Sequence, residues 1–362
     1  MLSPPPRIDT RALHERATTL RAALPTNTTI LYAVKANGHP EVVRTLATVC
    51  DGLEVASGGE LRLATDAGAR RIAFGGPAKT DSELAAAVTA GALLNVESAH
   101  ELRRLAGLGL QTDICIRVNR AGSGLTGSHA MTGTPTPFGV DESQLPALLA
   151  DIPPGLRVIG FHLHAVSNNL DGHAHAAFLT DAITWSIGTA QKHGIQLQVI
   201  NAGGGLGVDY QSSDSIDVTP LSAVVVPDGL ELIVEPGRYL AADAGWYAAE
   251  VLDLKTTHGR CFAVLRGGTH HFRLPAAWGY SHPFTVVPVD DWDRPYPRPS
   301  VTDTEIDAVG ELCTPRDVLT RGQRVARLRV GDLLVFGRAG AYGWDISHHD
   351  FLRHDPPEFV IL

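Results

Sequence analysis

The sequence predicts an α/β fold, with a (β/α)8 barrel over residues 8–243 and a mainly β domain over residues 244–362. Three observations carry that expectation. Short apolar runs alternate with helix-like segments from residue 30 to about residue 238. The runs number eight, a count that an open sheet has no reason to favour and a closed barrel requires. After residue 244 the texture changes to short β-like runs around a Pro- and Trp-rich stretch at 275–299.

Taken in order, the runs are "ILYAVKAN", "GLEVAS", "RIAFGG", "LLNVES", "DICIRVN", "VIGFHLHAV", "QVINAGGG" and "LELIVEPGR". Each is near-continuously apolar, as a strand buried on both faces must be. The intervening "HPEVVRTLATVC", "GGELRLATDAG" and "TDSELAAAVTAG" place apolar residues at helical spacing, start near a hydrogen-bond acceptor and often end on Gly. The seventh connection, "LGVDYQSSDSIDVTPLSAVV", is loop-rich and is the weak point of the repeat. The Gly/Thr-rich segment 119–139 after the fifth run is long enough to be read as functional or mobile, a candidate lid. "WYAAEVLDLKTTHGRCFAVLRGG" opens the β domain and "PEFVIL" closes the chain. Residues 1–7 are expected to join that domain.

Composition narrows the function classes. With 362 residues there is ample length for a large core, and a net charge of -9 offers no basic stripe for nucleic acid. No apolar run is long enough to span a bilayer and "MLSPPPRIDT" does not resemble a secretion signal, so a cytoplasmic protein with no membrane partner is expected. The four cysteines, Cys50, Cys115, Cys261 and Cys313, are scattered without a CxxC, which speaks against a disulfide framework and a thiolate zinc site.

Lys35 sits at the end of a run that otherwise reads as buried, where an ammonium needs a partner or a covalent use. In a barrel the C-terminal strand ends line the active site. Those ends here carry Lys35, Glu54 with Ser57, Arg117 with Asn119, His164 with Ser167, the glycines 203–205, and Glu235 with Gly237 and Arg238. Consecutive glycines after the seventh strand let backbone N–H groups approach a phosphate, and Gly237 and Arg238 add donors after the eighth. An amine for a Schiff base, a carboxylate for a pyridinium nitrogen, an aromatic ring to stack and a phosphate cup are what pyridoxal 5'-phosphate (PLP) needs. Lys35, Glu235, His164 and the glycine loop fill those roles.

The ordered motifs "YAVKAN", "GLEVASGGEL", "FGGPAKTDSEL", "NVES", "GFHLHAVS", "NAGGGLG", "EPGRYL", "GELCTPRDVL" and "GAYG" resemble the fold-type III PLP-dependent decarboxylases, the group of ornithine and diaminopimelate decarboxylases. The resemblance covers nearly the whole chain. It implies a barrel of alanine-racemase type with a C-terminal mainly β domain, and a homodimer with shared active sites. It further implies Lys35 as the Schiff-base lysine, His164 stacked on the cofactor ring and Glu235 paired with the ring nitrogen. Ser167, Gly204, Gly205, Gly237, Arg238 and Tyr342 would hold the phosphate. Cys313 would cross from the partner subunit as the acid that reprotonates the substrate carbon, with Asp317 near the substrate.

Departures from the family pattern sharpen the reading. Several members carry a carboxylate immediately after the interface cysteine, suited to a distal ammonium, whereas here Thr314 follows Cys313. Arg316, Arg273, His270 and His271 point instead to an anionic substrate, although Asp317 is placed to compensate. "GFHLHAVSNNLD", "GGTHHF" and "GAYGWDISHHDFLRHDPPE" look closest to the siderophore branch, whose members decarboxylate an amino acid already joined to citrate. "HAVSNN" stands where relatives carry a Gly-Ser-Gln run, and Glu54 stands where many have Asp, a longer acid near Lys35.

The expected activity is therefore PLP-dependent decarboxylation of a small-molecule amino acid, with a citrate-conjugated diamino acid favoured and a free amino acid of diaminopimelate, ornithine, lysine or arginine type as the alternative. Lys35, Cys313, His164 and Glu54 are the catalytic candidates, and Arg117, Thr314, Arg316 and Asp317 the substrate contacts. A racemase on the same barrel would invert configuration without changing mass. A regulator that kept the fold would take up no PLP. Sixteen histidines invite a metal reading. His162 and His164 share a face at strand period 2, His173 and His175 open a helix, and "HHD" ends at 350, yet no helical HExxH motif is present and no metal is expected.

Overall fold

The computed structural model describes residues 7–122, 124–212 and 214–362 and divides into two compact units, residues 13–209 with 214–240 and residues 7–12 with 210–212 and 241–362. The first is a closed barrel. Its parallel strands are β1 (Thr28–Ala33), β2 (Gly52–Val55), β3 (Ile72–Phe74), β4 (Leu93–Val96), β5 (Thr112–Asn119), β6 (Leu156–His162), β7 (Val199–Asn201) and β8 (Glu231–Val234). Hydrogen bonding runs β4-β3-β2-β1-β8-β7-β6-β5, and β4 also pairs with β5, which closes the ring and leaves no free edge.

The crossover helices start where side-chain acceptors are available. Ser57 accepts the Glu60 N–H ahead of α1 (Gly58–Asp66), Thr80 and Glu83 form a reciprocal capping box ahead of α2 (Asp81–Thr89), and Ser98 accepts the Glu101 N–H ahead of α3 (Ala99–Gly107). Each such cap stabilises a helix by about 1 kcal/mol. Ser57 is thereby a cap, not part of the chemistry. His173 and His175 do lie in the first turn of a helix, the 22-residue Gly172–His193, which ends on the left-handed Gly194. Among its described residues the weak seventh connection contains one helical segment, the short 3-10 turn Thr219–Ala223.

The barrel interior changes character along its axis. Leu31, Ala73, Cys115, Val199 and Ile233 form one apolar cluster, whose large members each contribute roughly 1.5–3 kcal/mol by leaving water. Residues two apart on a strand share a face, so one step toward the C-terminal end Cys115, Val199 and Ile233 give way to Arg117, Asn201 and Glu235. All three are buried, and Arg117 and Asn201 flank His162 in strand register. The fold thus places polar groups over an apolar floor at the mouth where chemistry is expected.

The second unit is mainly β. Its sheet runs Phe284–Val287, Leu333–Phe336, Gly245–Thr257, Arg260–Leu265, Ser300–Val309 and Val318–Arg329, antiparallel except for the third and second of these from the far end. Arg7–Ile8 adds an edge, pairing with Gly245–Trp246 and with Val360–Ile361. The expectation that residues 1–6 join this domain lies outside the described residues. Among the described residues no helix is long and apolar enough to cross a membrane.

Candidate active site

The placement of Lys35 follows from register. Ala33 pairs with Glu54, and the chain then makes one 3-10 turn, Val34–Ala36, that brings Lys35 Nζ to 2.5 Å from Glu54 Oε2. The carboxylate is buried, while the lysine side chain is 46% exposed, so the amine reaches open space with its counter-ion beneath it. Burial of Glu54 without that cation would be costly.

Glu235 continues β8 into the interior. Its Oε1 accepts the Asn201 Nδ2–H at 2.6 Å, its Oε2 lies 3.4 Å from His162 Nε2, and its own N–H donates to the Gly203 carbonyl. Burial acts to raise its pKa, but His162, Lys35 and Asn201 outweigh that and hold the carboxyl below the ordinary carboxylate range. His164 Nδ1 accepts the Gly204 N–H at 3.0 Å, which in the neutral ring puts the proton on Nε2. Desolvation first, and then the charge of Arg117, push His164 well below its usual pKa, so the ring is a neutral imidazole.

The glycine loop is a cradle that side chains would fill. Gly203 has φ +67°, and a Cβ there would lie 2.6 Å from His164 Cβ and Nδ1. Gly205, at φ +110°, would set a Cβ 2.8 Å from the Val166 carbonyl oxygen. A Cβ at Gly237 would approach Ala36 Cβ at 2.9 Å. Arg238 is buried at the start of the short helix Arg238–Ala241. Ser167 is half-buried on the two-residue strand Val166–Ser167, which pairs with His129–Ala130 of the 119–139 loop. The expectation of a phosphate donor at Gly204 is revised, because its N–H is taken by His164.

Arg117 is also engaged within the barrel. It pairs with Glu97 at 2.9 Å, both side chains being buried, and its guanidinium lies 4.6 Å from the Phe138 ring centre. Glu97 further accepts the N–H groups of Gly76 and Gly139. Through Glu97, Arg117 therefore ties two mouth loops to the barrel wall. Asn95 is fully buried with neither amide atom hydrogen-bonded.

In the second unit, Thr314 and Arg316 line a cavity of about 610 Å3 together with Thr269, Arg273, Arg321, His348 and Phe351. The described lining contains three guanidinium groups and no carboxylate. Arg273 Nη1 lies 3.1 Å from His348 Nδ1. Cys313, the residue before Thr314, is exposed, and Tyr342 is half-buried in a left-handed conformation at φ 54°. Asp317 is 2% exposed, and its oxygens accept the N–H groups of Thr269 at 2.6 Å and Leu312 at 2.8 Å. Its carboxylate fixes the loops that build the cavity. His270 and His271 are likewise engaged elsewhere. His270 lies 3.6 Å from Glu311 and burial lowers its pKa to about 3, while His271 Nε2 is 2.8 Å from the Asp355 carbonyl. Burial thus keeps His270 neutral, and it brings no positive charge to an anion.

Sequence reasoning missed Arg321, which reaches the cavity from the strand Val318–Arg329, His348, which reaches it from a loop, and the pairing of His162 with Glu235. The strand-end position of His162 was its one signal. Among the described residues no group of three or more His, Cys, Asp or Glu side chains is placed to hold a metal ion. The barrel residues do fit PLP: a lysine amine over its counter-ion, a buried carboxylate held as an anion, a neutral imidazole and a cradle free of Cβ atoms. Nδ1 of buried His162 lacks a hydrogen-bond partner among the described residues, and its Nε2 faces Glu235 Oε2 at 3.4 Å.

Comparison with known proteins agrees with this fit. The pyridoxal-dependent decarboxylase family, pyridoxal binding domain, matches residues 10–242. The chain is 40% identical to the 2-[(L-alanin-3-ylcarbamoyl)methyl]-2-hydroxybutanedioate decarboxylase of Staphylococcus aureus, over 95% of this chain and 90% of that protein. It is 34% identical to the diaminopimelate decarboxylase of Deinococcus radiodurans, over 91% and 83%. The structure of Helicobacter pylori diaminopimelate decarboxylase with L-lysine shares the fold at a TM-score of 0.87 and 24% identity, covering all of this chain and 92% of that one.

Proposed function

The chain belongs to the pyridoxal-dependent decarboxylases, and from that premise we propose that its substrate is a diamino acid amide-linked to citrate, decarboxylated in the cytoplasm on a route to a siderophore. The enzyme is a PLP-dependent carboxy-lyase. The observation that carries the substrate reading is the cavity of Arg273, Arg316, Arg321 and His348, with no carboxylate among its described lining. A free diamine precursor presents a distal ammonium and would want an acid there; a hydroxybutanedioate head, as in the name of the Staphylococcus aureus relative's substrate, presents carboxylates that guanidinium groups bind.

In the site that Lys35, Glu235, His164 and the glycine loop form, PLP would supply the electron sink that decarboxylation at the α-carbon needs. The residues divide the remaining work. Lys35 supplies the amine that secures the cofactor and Glu54 sets its protonation. Glu235 would keep a proton at the ring nitrogen, and the neutral His164 ring would pack against the cofactor. Gly205, Gly237, Arg238, Ser167 and Tyr342 hold the phosphate. The Cys313 thiol of a second subunit returns a proton to the α-carbon, so carbon dioxide leaves and the amine product carries one proton in its place. That last role makes the functional unit a homodimer with shared sites.

The test is mass spectrometry of PLP-loaded protein with citryl-diaminopropionate, diaminopimelate, ornithine, lysine and arginine. Loss of carbon dioxide from the citryl compound alone supports the reading. Equal or faster loss from a free basic amino acid overturns the substrate while leaving the chemistry.

A further inference from the structure

Besides Asn201, three cations or donors of the barrel mouth come into question as partners of the buried Glu235 carboxylate, and two are already committed to other carboxylates. Lys35 is bound to Glu54 at 2.5 Å and Arg117 to Glu97 at 2.9 Å. The third is His162, 3% exposed, whose Nε2 faces Glu235 Oε2 at 3.4 Å. The other oxygen belongs to Asn201, itself fixed because its Oδ1 accepts the Gly203 N–H at 2.9 Å. His162 lies in strand register between Arg117 and Asn201, so its backbone is held on both sides. Its ring stands 6.4 Å from that of His164.

We propose that His162 is a positioning residue, holding a proton at Nε2 and keeping Glu235 an anion aimed at the cofactor nitrogen. The inference rests on the reading of Glu235 as the ring-nitrogen partner. The physical reason is desolvation. A carboxylate this deeply buried, with only one amide donor, tends toward its neutral form. A neutral acid cannot stabilise a cationic ring nitrogen, and the electron sink weakens. A donor 3.4 Å away closes to hydrogen-bond distance with a small ring rotation, as site hydrogen bonds do when a ligand binds. The direction of the Glu235 pKa agrees: against burial, His162 is the foremost influence that lowers it.

The test uses holoenzyme reconstituted with cofactor labelled with 15N at the ring nitrogen. H162L is expected to take up cofactor with substrate KM within about twofold and to lose roughly 10- to 100-fold in kcat, the range for removing a group that supports a site residue. Its 15N resonance moves toward the unprotonated position. H162Q, which keeps an N–H donor, restores the wild-type resonance and most of kcat. A merely structural role would not move that resonance. H162L with the wild-type resonance overturns the proposal whatever its activity. A second readout needs no variant: in wild-type holoenzyme with 15N-labelled histidine, a proton on His162 Nε2 supports the proposal and a bare Nε2 overturns it. Failure of the underlying reading is distinct, because then E235Q also keeps the wild-type ring-nitrogen resonance.

Discussion

The barrel mouth and the cavity of the second unit handle charge in opposite ways. In the barrel three buried carboxylates have partners in place: Glu54 has Lys35, Glu97 has Arg117, and Glu235 faces His162 and Asn201. In the cavity, Arg273, Arg316 and Arg321 are solvent-exposed and collect on one wall without a carboxylate among the described lining. A paired charge is set for fixed chemistry on a resident group. A surplus of one sign awaits a partner from outside. Substitutions in the barrel should therefore cost catalysis or stability, and substitutions in the cavity should change KM.

The sharpest break in the comparison is at Lys35. K35A should abolish decarboxylation, a loss of at least about a thousandfold. K35R keeps a cation beside Glu54 yet lacks the amine, and should restore stability without restoring turnover. Carbon dioxide release and thermal unfolding of both variants separate chemistry from charge. If K35R turned over substrate, Lys35 would be only a counter-ion.

Next is the ion pair that holds the mouth. R117M leaves Glu97 buried without its cation, which should destabilise the protein by about 3–5 kcal/mol in urea unfolding. A variant of wild-type stability would show that the N–H donors of Gly76 and Gly139 satisfy Glu97 unaided.

The difference in legibility follows the same line. Lys35, Glu54, His164 and Glu235 could be read in the sequence because each sits at a fixed offset from an apolar strand, and strand period plus barrel closure decide which face it takes. The cavity could not be read that way. Arg273 precedes a short helix, Arg316 lies in a turn, Arg321 opens a hairpin strand and His348 comes from a terminal loop. No periodicity links such positions. Asp317 shows the same limit: a motif preserves the residue, but whether its carboxylate serves the substrate or neighbouring N–H groups depends on loops that the motif does not specify. His270 and His271 do likewise, since a pair of imidazoles suggests positive charge until burial is known.

A smaller effect compares the units under acid. His175 in the barrel and His282 in the β unit are each lowered by burial to about 4. His282 is neutral between the Tyr280 hydroxyl at Nδ1 and the Gly337 carbonyl at Nε2. A lowered folded-state pKa means that the unfolded chain binds more protons between about pH 6.5 and pH 4. Stability is thus fully present above pH 6.5 and falls with pH through that window, by up to about 1.4 kcal/mol per pH unit per histidine. H282N should flatten the urea midpoint against pH in that range. An unchanged slope would show that His282 is solvated in solution.

The smallest expected effect bears on the substrate. R321A and R316A should each raise KM for a citryl substrate by roughly three- to fivefold with kcat unchanged, the modest scale of an exposed charged contact. Because both side chains are exposed, Arg316 in a turn and Arg321 on a strand, thermal unfolding should be unaffected. The double variant decides between two uses of the cavity. If the carboxylates of one bound head engage both arginines, the two contacts depend on each other and the loss in R316A/R321A falls short of the product of the single losses. If the residues only raise the local concentration of anions, the losses multiply simply and vanish together at high salt, because long-range attraction is screened and a closed bidentate contact is screened far less. Salt-resistant coupling would make this wall a specific binding surface, and its absence would reduce it to an electrostatic funnel.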